Sequence, residues 1–268
     1  MTTRVHRFLG IVVALLVAGV GTATALEVGE GSPATQRPHR VTASSPSVPS
    51  SGGAGAPIRA RRLLGVSVRK RPITLTEVGN SSSRRRVLVV GCIHGNEPAG
   101  IAVARDLETD PISRRVLLWV IADLNPDGVA AGTRQNANGV DLNRNFPWRW
   151  TGIGRPGDLH YSGPHTLSEP ESRIARRFIL RVRPHVTIWF HQHADVVDES
   201  GGSLRIERRY AQLTHMRLAR LPRYPGSAAG WQNHRLPHTT AMVVELPAGS
   251  LSQDGVERFS DGILRLLN

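Results

Sequence analysis

Four short apolar runs, Val87–Val90, Val116–Ile121, Val186–Phe190 and Ala241–Leu246, lack strict alternation of apolar and polar residues. A strand with one wet face alternates, whereas a strand buried on both faces does not. These runs therefore call for a sheet covered on both sides, and the segments between them can supply the covers. Pro98–Leu107 has a helical pattern after the first run. Ile174, Phe178 and Val182 recur at helical spacing behind Ser168-Glu169-Pro170-Glu171, which reads as a capping box with Ser168 as N-cap and Glu171 reaching back. Val256, Phe259, Ile263 and Leu267 give a closing helix its apolar stripe. Leu63–Ile73 alternates more loosely and suits an edge strand or hairpin. Strands alternating with helices predict an α/β layer architecture.

The rest of the chain is organised differently. Residues 1–25 read as a signal peptide: Arg4 and Arg7 lead a nearly apolar Leu9–Val20, and Ala23-Thr24-Ala25 is a small-residue cleavage site. The apolar run falls short of the about 20 residues that span a bilayer, so no stable membrane insertion is expected after cleavage. Residues 26–59 are rich in Ser, Pro and Gly and cannot bury enough surface to offset ordering entropy, so they read as a disordered linker. Residues 60–268 are globular in composition and long enough for one domain with a real core. Cys92 is the single cysteine, which excludes an intramolecular disulfide, and at a strand end it reads as a small buried hydrophobe.

The formal charge is +13, and 33 of the 34 basic residues are Arg, Lys70 being the exception. That skew looks like codon bias as much as selection for binding. Arg84-Arg85-Arg86 reads as a solvated loop before a strand rather than a patch for anionic polymers. An export signal and 5% aromatic content argue against nucleic-acid binding.

The chemistry gathers where the apolar runs end. Gly91-Cys92-Ile93-His94-Gly95-Asn96-Glu97-Pro98 places a His and a Glu three apart directly after Val90, with Gly95 allowing a tight turn and Pro98 suited to a first helical turn. Two His and one Glu form a known catalytic zinc set. His191 closes the third run, and Glu245 lies near the end of the fourth. In open α/β sheets, ligands bind at the carboxyl ends of strands, so His94, His191 and Glu245 are expected to meet. An acid in an otherwise apolar strand, Met242-Val243-Val244-Glu245, is costly to bury without a purpose.

With Asn125-Pro126-Asp127-Gly128, Arg134-Gln135-Asn136, Gly139-Val140-Asp141-Leu142-Asn143-Arg144-Asn145-Phe146-Pro147 and Tyr161-Ser162-Gly163-Pro164, these blocks run in a fixed order. In that order the chain, over roughly residues 62–268, resembles the M14-type zinc carboxypeptidases, and in its small size the bacterial members that trim peptidoglycan stem peptides. The resemblance implies a three-layer α/β/α fold around a central mixed, mostly parallel twisted sheet. It implies one Zn²⁺ per chain on His94, Glu97 and His191, with Glu245 as general base and Arg134 stabilising the oxyanion. It also implies that Asn143 and Arg144 bind the terminal carboxylate of a peptide, with Tyr224 as a further substrate contact. His193 offers an alternative ligand beside His191, and Gln192-His193 departs from the commoner family sequence. The expected protein is a secreted, monomeric metallocarboxypeptidase acting on peptides, including cell-wall peptides.

Two other readings compete. An aspartoacylase or succinylglutamate desuccinylase-like deacylase shares the Gly-x-His-Gly-Asn-Glu and Asp-Leu-Asn-Arg blocks. The signal peptide, the Asn-Pro-Asp-Gly block and the short C-terminus argue against it. A non-catalytic cell-wall-binding protein would lack a metal ligand or the base, and none is missing here. No Gly-x-Ser-x-Gly elbow supports a serine hydrolase.

Overall fold

The computed structural model describes residues 58–109 and 116–266. The expected signal peptide and most of the expected linker lie outside these residues. In chain order the elements are β1 (Ile58–Val66), β2 (Pro72–Gly79), β3 (Arg85–Val90), α1 (Ala99–Thr109), β4 (Val116–Ile121), α2 (Pro126–Ala131), a 3-10 turn at Leu142–Arg144, α3 (Pro170–Val182), β5 (Val186–Gln192), β6 (Val196–Asp198), α4 (Leu204–Leu213), β7 (Arg217–Ala219), α5 (Ala228–Arg235), β8 (Thr240–Leu246) and α6 (Gln253–Leu266). The first strand begins at Ile58, two residues inside the segment expected to be linker.

All eight strands join one sheet in the order β1-β2-β4-β3-β5-β8-β6-β7. Its centre, β4-β3-β5-β8, is parallel. β2 joins β4 and β6 joins β8 antiparallel, so the sheet is mixed. The four non-alternating runs are these four central strands. Their side chains divide between two cores: Val87, Val89, Leu118, Val120, Ile188, Phe190, Met242 and Val244 face one way with α1, α4 and α6. Leu88, Val90, Leu117, Trp119, Ile121, Trp189 and Ala241 face the other, against α3 and α5. Each strand is apolar throughout because each face has its own helical cover, which gives three layers. Among the described residues no helix is long and apolar enough to cross a membrane.

Leu63–Ile73 lies in a hairpin, as its loose alternation suggested, with β1 on the sheet edge paired antiparallel to β2. Two other local expectations change. The third strand runs on through Gln192, so His191 lies inside it rather than after it. Ser168 is not an N-cap: α3 starts at Pro170, and its cap, Glu169, makes no side-chain capping bond. The carboxylates are used elsewhere. Glu169 Oε2 accepts from Asn136 Nδ2 (2.7 Å) and Asn138 Nδ2 (2.8 Å), while Glu171 accepts from Asn136 Nδ2 (3.0 Å) and the Val68 amide (3.0 Å). Pro170 suits a first helical position, where its missing N–H costs nothing. The block thus anchors the asparagine-rich loop that runs toward the site.

Candidate active site

The parallel strands end together, and the loops after them build the site. Beyond Val90 the chain turns so that the Glu97 amide donates to the His94 carbonyl (2.9 Å), stacking the two side chains on one turn. Gly95, between them, is required by a close approach rather than by an unusual turn. A Cβ there would lie 1.9 Å from the Gly128 carbonyl carbon and 2.2 Å from the Val129 nitrogen. The Asn-Pro-Asp-Gly block is therefore packed directly against the His-x-x-Glu block. Asn125 fastens the contact: its Oδ1 caps α2 at the Gly128 amide (3.0 Å), and its Nδ2 donates to the Ile93 carbonyl (3.1 Å).

Three buried ligand atoms converge. Glu97 Oε2 lies 3.0 Å from His94 Nδ1 and 3.0 Å from His191 Nδ1, and the two nitrogens are 3.1 Å apart. Ligands of a tetrahedral zinc with bonds of 2.0–2.1 Å sit about 3.3 Å from one another, so the triangle matches that size. Its chemistry matches too. Two imidazole nitrogens and a carboxylate oxygen that close together need a proton or a cation between them. His94 Nε2 faces Asp141 Oδ1 at 3.0 Å, and a carboxylate there holds the ring proton on Nε2 and leaves the Nδ1 lone pair for a metal.

Asp141 organises this support. Fully buried, it accepts from His94, from the Asn143 amide (2.9 Å), from Arg134 Nε (2.9 Å) and from His160 Nδ1 (3.2 Å). Burial pushes its carboxyl up, but His94 and Arg134 outweigh that and hold it well below the usual carboxylate range. Burial pushes Glu97 up as well, and the adjoining His191 and His94 rings outweigh that and hold it low, so it stays ionised. Arg134 bridges the two acids by donating NH1 to Glu97 Oε1 (2.8 Å).

Glu245 reaches the triangle through the sheet. It is paired in register with His191 across the parallel β5–β8 ladder, so the two side chains leave the same face side by side. Glu245 is half-buried, and among the described residues none donates a hydrogen bond to its carboxylate. Both line a cleft of about 150 Å³ together with His94, Glu97, Arg134, Asn143 and Arg144. Arg144 is only 4% exposed, yet no described carboxylate lies within 4.0 Å of it. Its NH1 donates to the Asn143 carbonyl (2.9 Å), and the Tyr224 ring lies 4.2 Å from the guanidinium carbon. Asn143 Oδ1 accepts from the Ala228 amide (2.8 Å), and its Nδ2 lies 3.4 Å from His191 Nε2.

The residues singled out from sequence thus share one cleft. His193 is exposed and outside the ligand triangle. Gln192 instead works as a brace: its Oε1 accepts from the Ala99 amide (2.9 Å), and its Nε2 donates to the carbonyls of Pro247 (2.9 Å) and Gly249 (2.8 Å). Cys92 is buried, and burial pushes its thiol well above the ordinary value, which suits a packing residue. Sequence reading missed Asp141, although an acid inside the Gly-Val-Asp-Leu-Asn-Arg-Asn-Phe block was a signal for a His partner. It also missed Asp198 and Arg223 on the cleft wall, where Arg223 NH1 donates to Asp198 Oδ2 at 2.6 Å. No local motif marks that pair.

Comparison with known proteins agrees with this geometry. Residues 56–220 match the family model described as zinc carboxypeptidase. Murein peptide amidase A of Escherichia coli K12 is 31% identical over 166 residues, 56% of this chain and 67% of that protein. The crystal structure of murein-tripeptide amidase from Escherichia coli O157 superposes with a TM-score of 0.63 at 26% identity, covering 80% of this chain and 94% of that one. Carboxypeptidase A from Helicoverpa armigera shares the fold at a TM-score of 0.65 and 19% identity, over 78% of this chain and 67% of that one. With the family model spanning more than half of the sequence, the chain belongs to the M14-type zinc carboxypeptidases.

Proposed function

We infer that this zinc carboxypeptidase is an exported, monomeric enzyme that hydrolyses the last peptide bond of short peptides bearing a free terminal carboxylate, among them peptidoglycan stem peptides. The single observation that carries this reading is Arg144: buried, without a carboxylate partner among the described residues, and opening into the cleft that holds the His94–Glu97–His191 triangle and Glu245. A guanidinium kept out of water gains most from a ligand carboxylate that meets its planar fork. Asn143, beside it, adds an amide, and the Tyr224 ring covers the guanidinium from the solvent side.

His94, Glu97 and His191 would hold one zinc ion. When bound, zinc supplies Lewis acidity toward the scissile carbonyl and lowers the pKa of water. Glu245, with no competing hydrogen bond, is free to take the proton of the attacking water and to deliver it to the departing amine. Arg134 spends donors on Glu97 and Asp141 and turns the rest of its guanidinium toward charge developing on the carbonyl oxygen. The Asp198–Arg223 pair gives the cleft a charged wall, which favours a polar terminal residue over an aromatic one. The murein peptide amidase relatives and the signal-like residues 1–25 support an envelope substrate.

The test compares one short stem-type peptide with a free and with an amidated terminus. Leaving Arg144 unpaired costs a few kcal/mol, and each tenfold in rate is 1.36 kcal/mol. Amidation should lower kcat/KM by about 10²-fold, and Arg144→Ala should erase that difference. Equal cleavage of both peptides by the wild type would sink the carboxylate reading.

A further inference from the structure

At the other end of the sheet, the amino ends of β3 and β5 open into a cleft of about 910 Å³. The six residues of β3, at about 3.3 Å each, put it roughly 20 Å from the active site. Helix α4 turns Arg205, Arg208, Arg209 and Gln212 into it, a spacing that puts all four on one face. Its opposite face is buried through Glu207, Tyr210 and Ala211. Arg84 and Arg86 reach the cleft from the start of β3, and Arg265 from the last turn of α6. Of the 13 described residues lining it, seven are Arg and none is acidic, although the chain carries 21 Asp and Glu. Codon bias explains many arginines, but it does not explain the exclusion of acids from one concave surface. Arginines four apart on a helix repel each other, and a merely solvated face gains nothing from that arrangement. The ion pair at the rim, Arg265 to Asp261 at 3.4 Å, is exposed and leaves the interior of the cleft positive.

We propose that this cleft binds a phosphodiester-linked polymer of the cell envelope, a thin chain of polyol-phosphate repeats. Guanidinium forks take phosphate oxygens two at a time, and several forks on one wall suit a repeating anion. Among the described residues no aromatic side chain lines the cleft, so bases have no platform on which to stack, and a nucleic-acid strand is the poorer fit. A polymer held here leaves the carboxyl ends of the strands open, so the enzyme is tethered to its substrate without being blocked. The choice of an envelope polymer rests on the export and stem-peptide reading above.

The experiment uses the full chain loaded with zinc. It is sedimented with cell walls carrying polyglycerol phosphate and with the same walls stripped of that polymer by hydrofluoric acid. Soluble polyglycerol phosphate and a single-stranded oligonucleotide serve as competitors. Stripping should weaken binding at least about tenfold, as should the triple change Arg205→Glu, Arg208→Glu, Arg209→Glu, and binding should fall steeply from roughly 50 to 300 mM salt. Turnover of a soluble peptide by the triple variant should stay within about twofold of wild type, far below the 10²-fold expected at the active site, which shows that it is folded. If that variant fails to fold, the triple change to Gln takes its place. Equal binding to stripped walls, undiminished binding by the folded variant, or stronger competition by the oligonucleotide would overturn the proposal. Wall binding that depends on these arginines in a protein that cleaves no peptide would instead leave the cleft assignment standing and refute the hydrolase reading.

Discussion

Asp141→Asn tests whether the ring behind the metal triangle sets its affinity. The carboxylate is fully buried and serves four donors, two on each oxygen: His94 Nε2 (3.0 Å) and the Asn143 amide (2.9 Å) on Oδ1, Arg134 Nε (2.9 Å) and His160 Nδ1 (3.2 Å) on Oδ2. An amide has one acceptor edge. With its oxygen toward His94, its NH₂ group confronts the Arg134 donor at hydrogen-bond distance. Turned over, it confronts His94 and frees the proton that fixes the tautomer. Either way one charge-assisted bond is lost, costing about 1.5–3 kcal/mol. Supporting partners of metal ligands typically contribute 10–100-fold in metal affinity, or about 1.4–2.7 kcal/mol at 1.36 kcal/mol per decade. Zinc affinity measured by competition with a chromophoric chelator should therefore fall about 10–100-fold. The side chain of His160 is 49% exposed, so His160→Ala should stay within about threefold of wild type. An Asp141→Asn protein with native circular dichroism and unchanged zinc affinity would refute the argument that this carboxylate fixes the His94 tautomer.

Three further outcomes are expected. Glu245→Gln should bind zinc as wild type does while turnover falls about 10²–10⁴-fold, and a mutant within a few-fold would remove Glu245 from proton transfer. Gly95→Ala should destabilise by more than the 1–3 kcal/mol common for overpacking, because its Cβ would meet backbone rather than a movable side chain; a chemical denaturation midpoint like that of wild type would contradict the packing described. Burial pushes Glu207 up to about 6 from an ordinary 4.5, so its contribution to stability is fully present below pH 4.5 and is lost as pH rises through 6. Glu207→Gln should remove a pH-dependent decline of roughly 2 kcal/mol over that window, and parallel stability curves for the two proteins would refute the assignment.

The four central strands were legible because burial on both faces leaves an unbroken apolar run, and the candidate ligands were legible because they sit at or just beyond the ends of such runs. The peripheral strands were not. Val196–Asp198 and Arg217–Ala219 are three residues each, too short for any periodicity to show. Helix α4 carries three Arg in ten residues, and its apolar face is completed only by packing against the sheet. Ser168-Glu169-Pro170-Glu171 has the letters of a capping box, but a tertiary demand, anchoring Asn136 and Asn138, took its carboxylates. Gly95 was visible as a glycine, yet its reason lies 33 positions away in Gly128. Arg84–Arg86 reads as a solvated loop until α4 brings its own arginines alongside.

The pairing of His191 with Glu245 has a consequence for how this enzyme can change over time. A proposed metal ligand and the proposed base occupy facing positions of one hydrogen-bonded ladder, so their separation is inherited from backbone spacing and not from loop conformation. Inserting or deleting one residue in β8 before Glu245 would turn its carboxylate to the other side of the sheet, among Phe190 and Val244. Lineages and engineers alike can lengthen the connections around the cleft to admit new substrates, but length changes within β5 and β8 are closed to them. Substrate range and catalytic chemistry are thereby written in separate parts of the chain, and the first can drift while the second stays fixed.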